Sequence, residues 1–254
     1  MNKTPQIPLF SLIARLIIYY GLIPIFPLII KDKKKILPQV EHEVGIEGKG
    51  LILVYTHFSY RDPLDVARHV VIKSPLLQRK EIVSPLSFHQ NNKSVRLLTD
   101  ILHGKLYPIV NNDTVNRKGF EHMRKGEGMD KFINASVKEI DRGGIVMIAT
   151  NAGRREKLDI HDTQKPLGFL MLALQQKKID DYGILNICVN MKGAKSYNKK
   201  YAGGLNIGKT YILTPASYYH PDELLNKPEV GGKISNVDTF VRKDIAKVAT
   251  PEYL

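Results

Sequence analysis

The chain has 254 residues, enough for one large domain with a packed core, and 43% hydrophobic with 25% charged residues is an ordinary globular composition. Lys and Arg number 38 against 25 Asp and Glu, a formal net charge of +13, which points to nucleic acid, anionic lipid or a phosphorylated small molecule as partner. The single cysteine, Cys188, excludes an intramolecular disulfide and a thiolate zinc site and fits a reducing, cytoplasm-facing location.

Leu9 to Ile30 is almost wholly apolar and runs straight into Lys31-Asp32-Lys33-Lys34-Lys35. One continuous helix of that length would reach roughly 33 Å, enough to cross a hydrocarbon core. Arg15 within it, Gly21 near its middle and Pro24 and Pro27 in its second half argue against a simple span. The pattern predicts a helix, a bend and a second short element lying partly within one leaflet, with the lysines on anionic headgroups at about 1 kcal/mol each. A helix capping the core is the alternative, and the length of the run argues against a cleaved signal peptide. Residues 1–36 are therefore set apart as a membrane-associated segment with a basic flank. Residues 37–254 form an α/β domain, which the basic run places on the cytoplasmic side.

Within that domain, strand-like runs recur at Leu51–Tyr55, Leu106–Val110, Ile145–Ala149, Ile184–Val189 and Tyr211–Thr214. Helical patterns lie between several of them. Leu64–Lys73 follows Pro63, and Met129, Phe132, Ile133, Val137 and Ile140 share one face before a stop at Gly143-Gly144. Pro166 opens an apolar helix through Leu167–Gln176, and Ser235 to Val248 forms a closing helix. Alternating strands and helices predict a mixed, mostly parallel sheet flanked by helices, with the N-terminal helical segment beside it. Lys192 to Gly208, rich in Gly, Lys, Asn and Tyr, is an exposed loop.

Chemistry concentrates after the first buried strand, in Thr56-His57-Phe58-Ser59-Tyr60-Arg61-Asp62-Pro63. Imidazole takes and returns a proton near neutrality, and a carboxylate on its other nitrogen fixes the tautomer and stabilises the imidazolium. His57 and Asp62 are thus a candidate dyad for activating a substrate hydroxyl. The plainer alternative makes Asp62 a helix N-cap with Pro63 at the first helical position, which leaves His57 and Ser59 unexplained. Asp65, one turn further on, should face elsewhere. A second cluster, Thr150-Asn151-Ala152-Gly153-Arg154-Arg155, follows a strand: small residues allow close backbone approach and guanidinium groups bind phosphate in bidentate fashion.

Together these segments resemble the glycerolipid acyltransferase superfamily, the glycerol-3-phosphate and 1-acylglycerol-3-phosphate (lysophosphatidate) acyltransferases. His57-x4-Asp62 matches the family's first block, and Gly104-Lys105-Leu106-Tyr107-Pro108-Ile109-Val110 echoes the second. Thr150-Asn151-Ala152-Gly153-Arg154 aligns with the third, with Asn151 where many members carry glutamate, and Ile184–Val189 loosely matches the fourth without its proline. The matches fall in order over roughly Gly50 to Val189. The resemblance implies transfer of an acyl group from coenzyme A or acyl carrier protein to a glycerol-phosphate hydroxyl, at a membrane, with no cofactor and no metal. His57 would act as base and Asp62 as its orienting carboxylate. Gly153, Arg154 and Arg155, assisted by Arg117 and Lys118, would hold the acceptor phosphate. The alternative is a catalytically silent, membrane-associated lipid-phosphate-binding protein of the same fold.

Other signals are weaker. Gly203 to Thr210 satisfies the phosphate-loop pattern Gly-x4-Gly-Lys-Thr, but no strand precedes it and strand-like Tyr211–Thr214 follows where a helix is needed. Asn134-Ala135-Ser136 fits the glycosylation pattern yet lies inside a predicted helix. His42, His69, His89, His103, His122, His161 and His220 show no metal-ligand spacing. No aromatic-basic recognition motif accompanies the positive charge, so nucleic acid is not expected as a partner.

Overall fold

The computed structural model describes residues 7–22, 24–91, 93–101, 104–151, 156–194, 204 and 206–254. Among them, seven strands form one sheet in the order β1-β7-β6-β2-β5-β3-β4. They are β1 (Leu28–Ile30), β2 (Gly50–Tyr55), β3 (Ile82–Ser87), β4 (Gly104–Ile109), β5 (Ile145–Ala149), β6 (Tyr182–Met191) and β7 (Tyr211–Tyr219). All neighbouring pairs run parallel except β6 and β7. The helices are α1 (Leu9–Leu22), α2 (Ile36–Val40), α3 (Asp62–Val66), α4 (Lys93–Ile101), α5 (Asn112–Val115), α6 (Met129–Asp141), α7 (Pro166–Gln176), α8 (Pro221–Leu225) and α9 (Val237–Ala246). The mixed, mostly parallel α/β arrangement expected from the alternation is what the chain forms.

The centre of the sheet follows from composition. Every residue of β2 and β6 is buried, as expected of strands covered on both faces. Helix α6 covers one side with Phe132 and Ile140 and ends where Gly143 takes φ 74°. A Cβ there would lie 2.0 Å from the Gly48 carbonyl oxygen, so glycine is required by space as well as by conformation. Helix α7 covers the core with Leu167, Leu170, Met171 and Leu174, and its first amides, Leu167 and Gly168, donate to the buried carboxylate of Asp238 in α9 (3.1 and 2.8 Å).

The structure departs from the sequence expectations in three places. The short element expected after the bend in the N-terminal apolar run, partly within one leaflet, is a sheet strand, β1: Leu28, Ile29 and Ile30 pair with Tyr211, Ile212 and Leu213. Pro24 and Pro27 break the helix, and the β-branched Ile29 and Ile30 then complete an edge strand. Strand β3 was hidden by Pro85, which interrupts the apolar run. The single helix expected over Leu64–Lys73 is α3 followed by a wider π-helical turn, Ala67–Ile72.

Helix α1 is two-faced. Ser11, Leu12, Arg15 and Tyr19 face the domain, and one guanidinium nitrogen of Arg15 donates to the carbonyls of Gln78 and Lys80 (2.7 and 2.8 Å). Burial lowers the Arg15 pKa to about 10, with Glu81 opposing. Leu9, Phe10, Ile13, Ile17 and Tyr20 are exposed on the outside. Among the described residues no helix is long and apolar enough to cross a membrane.

Candidate active site

All the parallel strands from β2 to β6 end at the same edge of the sheet, the edge where open α/β sheets bind ligands. Two features of the strand order and pairing favour a ligand site at that edge. The connections leaving β2 and β5 run to opposite sides of the sheet, toward β3 and β6. Strands β5 and β3 pair only at Ile145↔Ile82 and Val146↔Val83, after which the ladder stops. Pro85 lacks the N–H that would continue it.

His57 stands two residues beyond β2. Thr56 ends the strand by accepting from the Val189 amide through Oγ1 (2.8 Å), which ties the loop's root to β6. The His57 side chain is 17% exposed, while Asp62 is fully buried, with 3.3 Å between Nδ1 and Oδ2. The Tyr55 ring lies edge-on to the imidazole at 6.0 Å. The structure thus brings the two sequence-predicted residues together, with only the imidazole reaching solvent.

Asp62 is not a helix N-cap. Its Oδ2 accepts from the upstream amides of Phe58 (2.6 Å) and Ser59 (2.7 Å), and its Oδ1 from the Ser59 hydroxyl (2.6 Å). These bonds close the 57–62 loop around the carboxylate. Asp65 turns away and pairs with Arg61 Nε (2.5 Å) and, at 3.4 Å, with Arg68. Burial raises the Asp65 pKa to about 6, against the pull of both arginines.

Two buried arginines that no sequence motif singles out frame the site. Arg61 donates to the carbonyls of Lys209 (2.7 Å) and Pro27 (2.8 Å), and its guanidinium stacks over Tyr211 at 4.1 Å. Arg242, on α9, binds the carbonyls of Thr150 (3.1 Å), Asp162 (2.5 Å) and Gln164, spanning the loop that follows β5. Arg61 sits inside the His-x4-Asp block and could have been suspected from that position. Nothing in the sequence distinguishes Arg242 from a solvated helix residue.

Of the proposed phosphate-holding residues, Gly153, Arg154 and Arg155 lie outside the described residues. The root of their loop is fixed: the Thr150 amide donates to the Tyr55 carbonyl (2.9 Å), two residues before His57. Arg117 and Lys118 are exposed and follow β4, three strand positions from β2, or roughly 14 Å across the sheet. A groove of about 390 Å³ lined by Leu86, Val95, Arg96, Leu106 and Tyr107 opens beside α4 at that same far edge. Cys188 is buried and its thiol is pushed up to about 12 by burial, so it acts as a packed apolar residue and not as a nucleophile. Asn134 lies within α6, and β7 follows Thr210 directly. Among the described residues, no group of three or more His, Cys, Asp or Glu side chains is placed to hold a metal ion.

No family model and no curated protein matches the chain. Among solved structures, the 1-acyl-sn-glycerophosphate (LPA) acyltransferase of Thermotoga maritima is similar over 94% of this chain and 78% of that one, at 8% identity and a TM-score of 0.47. A likeness of that size carries no argument about function, which rests on the residues above.

Proposed function

We propose that the protein is an O-acyltransferase of phospholipid synthesis, moving a fatty acyl group from a thioester to a hydroxyl of a glycerol-phosphate acceptor, glycerol-3-phosphate or lysophosphatidate. The observation that carries the proposal is the dyad: a partly exposed imidazole whose Nδ1 faces a buried carboxylate held by two amides and a hydroxyl. That arrangement leaves Nε2, on the far side of the ring, to meet an acceptor hydroxyl. His57 removes its proton as the oxygen attacks the thioester carbonyl, base catalysis worth about 10²–10⁴-fold. Collapse of the intermediate forms the ester, breaks the C–S bond and returns the proton from His57 to the departing thiol of coenzyme A or acyl carrier protein. No resident cofactor or metal has a role in these steps. Arg154, Arg155 and Gly153 are assigned the acceptor phosphate because their loop leaves β5 beside the root of the His57 loop, with Arg117 and Lys118 adding positive charge further along the edge.

The protein works at a membrane surface, with this domain on the cytoplasmic side. The outward face of α1 offers Leu9, Phe10, Ile13, Ile17 and Tyr20 to acyl chains. Lysines follow the apolar segment at positions 31 and 33–35, where each contributes about 1 kcal/mol against anionic headgroups. Lipid substrates would then reach His57 from the membrane surface without crossing water.

The test supplies labelled acyl donor with glycerol-3-phosphate and lysophosphatidate side by side. Acylated product that disappears in a folded His57→Ala variant supports the proposal, and undiminished turnover in that variant refutes it. A silent lipid-phosphate-binding protein is the second reading, favoured by Asn151. Its buried amide nitrogen donates to the Asp159 carbonyl (2.9 Å), so the position commonly held by glutamate is occupied in loop packing. Phosphatidate binding with no product from any donor would favour that reading.

A further inference from the structure

The dyad is anchored from outside its own loop. The Ser59 hydroxyl accepts two hydrogen bonds, from the Arg61 amide (3.2 Å) and from the Tyr211 hydroxyl (2.9 Å). A serine oxygen has two lone pairs and one proton. With both lone pairs occupied, the proton is directed onto Asp62 Oδ1, 2.6 Å away. Tyr211 is set in the same way: its oxygen accepts from Asn206 Nδ2 (2.7 Å), so its own proton goes to Ser59. Burial, with the Asp62 charge adding, raises the Tyr211 pKa well above that of a free phenol, which keeps it a donor. Every proton in the chain from amide to phenol to hydroxyl to carboxylate points toward the imidazole, and bonds aligned in this sense strengthen one another.

We infer that Tyr211 is a positioning residue of this site: primed by Asn206, it locks the Ser59 hydroxyl onto Asp62 and so holds the carboxylate that orients His57. The inference rests on the acyltransferase reading of the dyad and names a residue of β7 as part of it. Tyr211 is well placed for the task. Its ring packs on Phe58 at 5.3 Å and under the Arg61 guanidinium, contacts that a phenylalanine would keep. Asn206 opens the turn whose Lys209 carbonyl binds Arg61 and whose Gly208 amide donates to Ile25 (2.9 Å), so the donor end of the chain is tied down as well. The charged and titratable groups around Asp62 are His57, Tyr55, Tyr211 and Asp65, with Arg61 beyond.

Tyr211→Phe removes only the hydroxyl. The expected result is a kcat about tenfold lower with KM changed less than about twofold, because substrate contacts are untouched. The acid limb of the kcat/KM profile should move up by about half a pH unit, since a carboxylate deprived of a directed donor draws harder on the imidazolium proton. The ring-proton NMR titration of His57 should move with it. Asn206→Gly keeps the left-handed backbone at φ 49° and removes the amide; it should shift both readouts in the same sense by less. Profiles and titrations superimposable on wild type, with only thermal stability lowered, would make the hydroxyl a packing feature and overturn the inference. The NMR readout does not require turnover. If the wild type transfers no acyl group while Tyr211→Phe still moves the His57 titration, the acyltransferase reading falls and the linkage to Tyr211 stands.

Discussion

In the proposed reaction His57 and Asp62 divide the work that one residue could not do: one would reach the substrate, the other is sealed from water. The 17% exposure of the imidazole against none for the carboxylate is the physical form of that division. Asp62→Asn should lower kcat by about 10²–10³-fold, because its oxygen stays on the Phe58 and Ser59 amides while the negative charge that offsets the imidazolium is lost and its amide nitrogen meets the Ser59 hydroxyl, which is already saturated as an acceptor. Steady-state kinetics beside a thermal melt check this: the melting temperature should fall, since a buried acceptor is replaced by a donor, and the kcat loss must persist in protein shown to be folded at the assay temperature. The pairing was legible in the sequence because both residues belong to one short loop, where spacing constrains geometry. Tyr211 was not legible. It reaches Ser59 across 152 positions, and only sheet topology, with β7 running antiparallel beside β6, brings the start of β7 to the ends of the parallel strands.

At the scale of elements, the segment from Arg61 through α3 and the turn after it carries two buried arginines and a half-buried histidine whose partners lie in other segments. Arg61 and Arg68 bind the Pro27 and Phe26 carbonyls (2.8 and 2.7 Å), and the ring of His69 meets Tyr19 of α1 edge-on at 5.6 Å. Arg61→Met should destabilise the fold by about 3–5 kcal/mol by removing the closer partner of the buried Asp65 carboxylate. Chemical denaturation reads that loss directly. His69 lends this layer a pH dependence. Burial, then the charges of Arg68, Lys73 and Arg61, depress its pKa from 6.5 to about 3, and Nε2 faces Arg68 at 2.9 Å. A depressed histidine is neutral when folded and binds a proton when unfolded, so stability falls as pH drops from about 6.5 toward 3. Asp65, with its raised pKa, acts in the opposite sense between about 6 and 3.8. The contribution of His69 is therefore the difference between wild type and His69→Gln: melting temperatures of the variant should fall less on acidification from pH 7 to pH 4.5. Of these elements, α6, α7 and β5 were readable because their apolar periodicity is uninterrupted. β1 and β3 were not, because proline and a short length hid the strand pattern.

For the whole molecule, charge and apolar surface combine. A net charge of +13 and an outward α1 face of Leu9, Phe10, Ile13, Ile17 and Tyr20 should produce binding to anionic vesicles that weakens with salt and is weaker still on neutral ones. Ile13→Glu with Ile17→Glu should lower vesicle co-sedimentation at least about tenfold while leaving the melting temperature nearly unchanged, since both side chains are exposed. The inner face of the same segment has a separate consequence. An apolar leader followed by lysines invites truncation in the hope of a freely soluble remainder. Here, removal of residues 1–30 would strip an edge strand from the sheet and take away the carbonyls that satisfy Arg61 and Arg68. The shortened product should aggregate or melt far below the parent, because this segment completes the sheet and neutralises buried arginines and is not a detachable tether.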